Sequence, residues 1–179
     1  MKDIMIDLET MGTTPNSVIV QIGACYFDRI SGKTGCEFLM NVSMKSCMDL
    51  GLTMDASTVE WWLNKTNRSF LQQPIHDVKE VFDYLFNFCN KCKCVWAHAT
   101  FDFPILMNAY NKINYNLPFS FRDCRDLRTL VDLAGIPYKK SDDRTDQENK
   151  HNALDDCIYQ VGYATKCFNI LTERTVDSG

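Results

Sequence analysis

The chain has no run approaching the roughly 18 apolar residues of a membrane-spanning helix. Its first residues, Met-Lys-Asp-Ile-Met-Ile-Asp-Leu-Glu, place acids where a secretory signal needs an unbroken apolar core. The expectation is a soluble cytoplasmic protein, in the host cytoplasm if the source is viral, with no membrane partner. Positive charge is also scarce: 19 Lys plus Arg stand against 23 Asp plus Glu, for a net charge of -4. That excludes a binder that coats phosphates with a broadly basic surface, so an anionic substrate must be met locally, metal ions included. Glycine (8) and proline (5) are too few for a collagen-like or low-complexity chain. What is present is 45% hydrophobic and 12% aromatic residues over 179 positions, enough to bury a core without staples. Residues 1–179 are expected to form a single domain. Without an export signal, the nine cysteines are expected as reduced thiols, and none is paired.

Residues 2–8 alternate around Ile4 and Ile6 as a short strand does, and Ser17 to Phe27 is a longer Val- and Ile-rich run. A turn at Asp28 to Lys33 and an extended segment from Cys36 to Val42 predict a hairpin. Helical spacing predicts a short helix over Asp55 to Asn64 and an amphipathic one from Asp77 to about Asn90. A buried strand follows at Cys94 to Ala97. Further helices are expected over Phe101 to Ile113, with Pro104 in the first turn, and over Asp126 to Ala134, ended by Gly135 and Pro137. Tyr138 to Lys150 reads as a polar loop, and a last helix runs from about Asn152 to Leu171. Strands first, then strands alternating with helices, imply an α/β fold: a mixed sheet flanked by helices.

Asp7 and Glu9 are two apart at a strand end, so period two lets both carboxylates share a face. By itself the pair is a solvent-facing acidic edge or half of a cation site. Asp102 opens a helix after a buried strand, where it either caps the helix or enters a site at the carboxyl end of the sheet. His151 and Asp156 lie about 140° apart on a continuous helix, which predicts that His151 precedes the helix and Asp156 projects from its first turns. Cys89, Cys92 and Cys94 invite a zinc reading, but structural zinc sites pair their ligands differently.

In order, Asp7-Leu8-Glu9-Thr10, Phe101-Asp102 and His151-x4-Asp156 resemble the three motifs of the DEDDh 3'-5' exonucleases. This superfamily includes the proofreading subunit of bacterial replicases, RNase T and oligoribonuclease. Val20-Gln21-Ile22-Gly23-Ala24 and Cys124 to Leu130 are similar to the family as well. Thr58-Val59-Glu60-Trp61-Trp62-Leu63 resembles the small phage and mycobacterial branch that includes RNase AS. The resemblance implies an RNase H-like, mixed five-stranded sheet flanked by helices, and release of nucleoside 5'-monophosphates from single-stranded RNA or DNA 3' ends. It implies Asp7, Glu9, Asp102 and Asp156 as ligands of two Mg2+ ions, with Mn2+ able to substitute. Oxygen donors suit these hard cations, and a pair of ions can stabilise both the attacking and leaving oxygens of a phosphoryl displacement. His151 is implied as general base, an assignment its ordinary pKa near 6.5 suits. Thr10, Met11 and Gly12 resemble the stretch that holds the terminal nucleotide, while Phe101 and one of Trp61 or Trp62, about 100° apart on a helix, are candidates to stack bases, with Trp62 taken as the substrate-facing one. Relatives often carry Asn where this chain has His98, which is open to three readings: core histidine, substrate contact or metal ligand. A homodimer is suggested by some relatives. Two alternatives stand beside the exonuclease: an RNase H-like endonuclease, and a nucleic-acid-binding adaptor that keeps the fold without turnover.

Overall fold

Side chains alternate along the first strand, β1 (Asp3–Thr10): Ile4, Ile6 and Leu8 enter one apolar layer, and Met5 enters another on the opposite face. All eight residues are buried in this computed structural model, which describes residues 2–65, 68–71, 74–90, 92–137 and 151–176. A strand covered on both faces tolerates apolar residues at every position, so the polar exceptions Asp3, Asp7 and Glu9 need partners.

β1 pairs antiparallel with β2 (Ile19–Phe27), which pairs antiparallel with β3 (Thr34–Val42). The β2–β3 turn closes through the Asp28 carboxylate, which accepts the amides of Ile30 and Ser31, and through Gly32 at φ +70°. Parallel strands extend the sheet on both sides: β4 (Ile75–His76) beside β3, β5 (Cys94–Ala97) beside β1, and β6 (Cys124–Asp126) beside β5. Among the described residues the order is β4-β3-β2-β1-β5-β6. The expectation of a mixed sheet between helices holds, with six strands where five were expected. β4 and β6 are too short to leave a periodic signal.

Asp55, Asp77 and Asp126 act as N-caps, their carboxylates accepting from the amides of Thr58, Lys79 and Thr129. They start α2 (Ala56–Leu63), α3 (Val78–Cys89) and α5 (Leu127–Ala134), as the sequence leads one to expect. Gly135 ends α5 in the left-handed conformation at φ +68°. A six-residue helix, α1 (Met44–Asp49), has no sequence expectation behind it, because so short a segment shows no period. α3 and α4 (Asp102–Lys112) cover the face of Ile4 and Ile6, where Phe82 and Tyr110 stack at 4.1 Å. α6 (Ala153–Val176) lies on β1 and β2 against α5, extending past the expected end at Leu171. The expected loop at 138–150 falls outside the described residues. Among those residues, no helix is long and apolar enough to cross a membrane.

Candidate active site

The three acids of β1 share the face toward α6 and meet different fates. Asp3 is neutralised: Arg29 donates to both of its oxygens, at 2.5 and 3.1 Å, and the Trp96 indole donates at 3.1 Å. Asp7 and Glu9, farther along, are 9% and 8% exposed, and neither forms an ion pair with Lys or Arg among the described residues. Asp7 instead accepts from the Gln160 amide at 2.7 Å.

Asp102 joins them from the first turn of α4, just after the neighbouring parallel strand β5. Its carboxylate, 1% exposed, accepts the backbone amides of Leu8 at 3.3 Å and His98 at 2.9 Å. It thereby ties the carboxyl ends of β1 and β5 together and does not cap α4, which starts without a side-chain cap.

The last motif reaches the site because α6 begins directly on β2. A Cβ at Gly23 would overlap the carbonyl of Ala153 and the amide of Leu154, so glycine alone permits this approach. Gln21, fully buried, fixes it: its Oε1 accepts the Ala153 amide at 2.8 Å, while its amide donates to Asn41 and Ser69 at 2.7 and 3.1 Å. Ser69 in turn donates to the His151 carbonyl at 3.4 Å. His151 lies just ahead of α6 with φ +63°, a left-handed conformation that costs a non-glycine residue energy and often marks function. Asn152 accepts the amides of Leu154 and Asp155, and Asp156 projects from the first turn.

Two triads result. Oxygens of Asp7 and Asp102 and a ring nitrogen of His98 lie within 4.8 Å of one another, and so do donors of Glu9, Asp156 and His151. The five catalytic residues expected from sequence therefore meet, and the cysteines contribute to neither triad. Burial, then repulsion from Asp102, Asp156 and Glu9, raises the Asp7 carboxyl well above the usual range, against the lowering effect of Gln160. Glu9 is raised by burial and by Asp156 and Asp102. Burial pushes Asp102 up to about 7 even though its two backbone donors and Arg128 favour the charged form. Buried oxygen donors, two of which are raised further by repulsion from neighbouring carboxylates, fit a divalent cation, whose charge would favour their ionised forms. Burial, reinforced by Arg128, pushes the His98 imidazole down to about 4.

A cavity of about 400 Å3 adjoins the carboxylates, lined by Glu9, Thr10, Gly12, Ser57, Trp61 and Phe101 among others. Trp61 is 41% exposed there, with the Lys65 ammonium 4.2 Å from its ring centroid. Two residues expected to contact substrate are buried. Trp62 forms part of the wall but is only 3% exposed, its indole donating to the Thr10 carbonyl at 2.9 Å. Neighbours on a helix diverge by about 100°, and it is Trp61 that turns outward. Met11 is 4% exposed and packed in the core, because its amide and carbonyl bond Val18 and Asp55 and turn its side chain inward. Both indoles meet the His151 ring edge-on, at 4.7 and 5.7 Å. Gln160 escaped sequence reasoning, although its place one helical turn beyond Asp156 was a usable signal. Gln21 was visible within its strand motif, but its role was not.

The fold and these converging motifs define the class: an RNase H-like fold of the kind found in exonuclease I. Apo exonuclease I superposes with a TM-score of 0.66 at 15% identity, covering 92% of this chain and 41% of that one. E. coli exonuclease I in complex with a dT13 oligonucleotide gives 0.64 at 16%, covering 98% and 42%. The zinc-ion-bound E. coli exonuclease I–ssDNA complex gives 0.63 at 15%, covering 96% and 40%. The chain thus spans about two fifths of exonuclease I, and at these identities the likeness is one of fold. No curated protein matches it. The family model of the Rv2179c-like 3'-5' exoribonuclease domain matches residues 2–168, and the chain belongs to that family.

Proposed function

We propose that the protein hydrolyses single-stranded RNA from its 3' end, releasing nucleoside 5'-monophosphates, with Mg2+ or Mn2+ as cofactor. The observation that carries this reading is the pair of triads, Asp7–His98–Asp102 and Glu9–His151–Asp156, beside a cavity of about 400 Å3 lined in part by Trp61, Trp62 and Phe101. The family supports RNA as substrate, and the oligonucleotide-bound exonuclease I structures support a single strand.

Asp7, Glu9, Asp102 and Asp156 would hold the cations. Two bound ions would neutralise these acids and stabilise negative charge on the attacking and departing oxygens. Gln160 orients Asp7 through its hydrogen bond. His151 accepts the proton of the attacking water, a contribution of typically 10² to 10⁴ in rate. The edges of Trp61 and Trp62 set the plane of its ring. Trp61 and Phe101 stack on bases, each contact contributing about 1–3 kcal/mol without reading sequence. Thr10 and Gly12 form the floor under the terminal nucleotide, where the Thr10 hydroxyl donates to the Gly12 carbonyl at 2.7 Å.

The test uses 5'-labelled linear RNA, its DNA counterpart and a circular RNA, each with Mg2+, Mn2+ or chelator. The expected result is a ladder shortening from the 3' end of the linear RNA, with monophosphate product, slower DNA turnover, an intact circle and no reaction in chelator. A cut circle would establish an endonuclease, and binding without turnover an adaptor.

A further inference from the structure

The two triads are built alike, each with two carboxylates and one imidazole, but their histidines stand differently. His151 is held by aromatic edges ahead of α6. His98 occupies the turn between β5 and α4, and its backbone is committed at both ends. Its amide donates to Asp102 Oδ2 at 2.9 Å, and its carbonyl accepts from Phe101 and Asp102 at 2.8 and 3.0 Å. The turn that places the Asp102 carboxylate therefore also places the backbone from which the His98 ring projects. A ring nitrogen of His98 lies within 4.8 Å of oxygens of both Asp7 and Asp102. Donors roughly 2.0–2.3 Å from one cation are separated by roughly 3–4.5 Å, so a small shift at most brings these three atoms to the spacing that shares an ion.

We propose that His98 is itself a metal ligand, completing with Asp7 and Asp102 a mixed nitrogen–oxygen site that selects Mn2+ over Mg2+. The proposal rests on the metal-dependent reading above. Mg2+ is hard, demands near-ideal octahedral oxygen ligation and gives up its waters reluctantly, so an imidazole adds little to its binding. Transition-metal ions accept imidazole readily, and Mn2+ is the member of that series that also suits carboxylates. One nitrogen among oxygen donors thus separates two cations that an all-carboxylate site would treat more nearly alike.

The test needs no substrate. Mn2+ is titrated into the full chain and followed by loss of the free-ion paramagnetic resonance signal, Mg2+ is titrated calorimetrically, and nitrogen-14 coupling to bound Mn2+ is read by electron spin-echo modulation. The comparison covers the wild type, His98→Asn, His98→Gln and His151→Ala, each checked for folding by circular dichroism. The expected result is imidazole nitrogen coupling in the wild type and in His151→Ala that disappears in both His98 variants. Mn2+ affinity should fall about tenfold or more in those variants, the loss typical of a disrupted metal shell, while Mg2+ affinity changes far less. Coupling that survives at position 98 substitution, or that vanishes only in His151→Ala, overturns the assignment and leaves the metal-dependent reading intact. A wild type that binds neither ion overturns that reading as well.

Discussion

Replacing Gly23 with Ala puts the approach of α6 to the sheet under direct strain. The added Cβ would overlap the Ala153 carbonyl and the Leu154 amide. These are backbone atoms, which cannot swing aside as the tip of a side chain does. Restoring ordinary carbon contacts of about 3.5–4.0 Å requires the helix start to move by roughly 1–2 Å. Overpacking of this kind costs about 1–3 kcal/mol. Losing the Gln21–Ala153 hydrogen bond, 2.8 Å long, adds about 1 kcal/mol. The sum of roughly 2–4 kcal/mol corresponds to a melting temperature lower by roughly 4–16 °C in a chain of this size. His151 and Asp156 travel with the helix start, and a displacement near 1 Å at a reacting centre costs on the order of 100-fold in turnover. Gly162 supplies the control on the same helix, because a Cβ there meets nothing within 4 Å. Gly162→Ala should stabilise by about 1 kcal/mol, the usual helical advantage of alanine, with turnover unchanged. Thermal unfolding by circular dichroism and release of nucleotides from end-labelled RNA read both effects. If Gly23→Ala melts like the wild type and keeps turnover within about threefold, helix placement does not govern the site and the reasoning fails.

Trp61 and Trp62 should separate cleanly. Trp61→Ala weakens RNA binding by about 1–3 kcal/mol, seen in KM, with little change in melting temperature, whereas Trp62→Ala destabilises by about 3–5 kcal/mol. Equal melting temperatures would contradict the burial assigned to them. His151→Ala should lower kcat by about 10² to 10⁴ while RNA binding, measured by fluorescence anisotropy, is retained; unchanged kcat removes it as the base. Asp126 gives a pH test: burial alone would raise its carboxyl, but hydrogen bonds from the Thr129 side chain and amide and from the Ala99 amide outweigh this and hold it below 3.8. A carboxyl lowered on folding stabilises above its unfolded pKa and loses that contribution as pH falls through the folded value. Asp126→Ala should therefore cost about 1 kcal/mol near pH 6, as the loss of a helix cap does, and the gap from wild type in urea unfolding should close as pH drops below about 4. A gap that widens in acid would overturn the assignment.

Local physics wrote much of this protein into its sequence. The period of two along β1 sets Asp7 and Glu9 on one face whatever the rest of the chain does, and aspartates before apolar helical runs mark where α2, α3 and α5 begin. His151 had to precede the last helix because 3.6 residues per turn cannot point it and Asp156 the same way. The tertiary structure alone decided that Asp3 is quenched by Arg29 while Asp7 and Glu9 are left to repel Asp102 and Asp156. It also decided that Trp61 is exposed while Trp62 is buried in the cavity wall, that Gln160 reaches Asp7, and that a ring nitrogen of His98 stands within 4.8 Å of oxygens of two carboxylates. Spacing along a chain constrains only residues a turn or a pleat apart. Which distant side chains share a few ångströms depends on how sheet and helices pack, and here that rests on a glycine and a buried glutamine at the contact between β2 and α6.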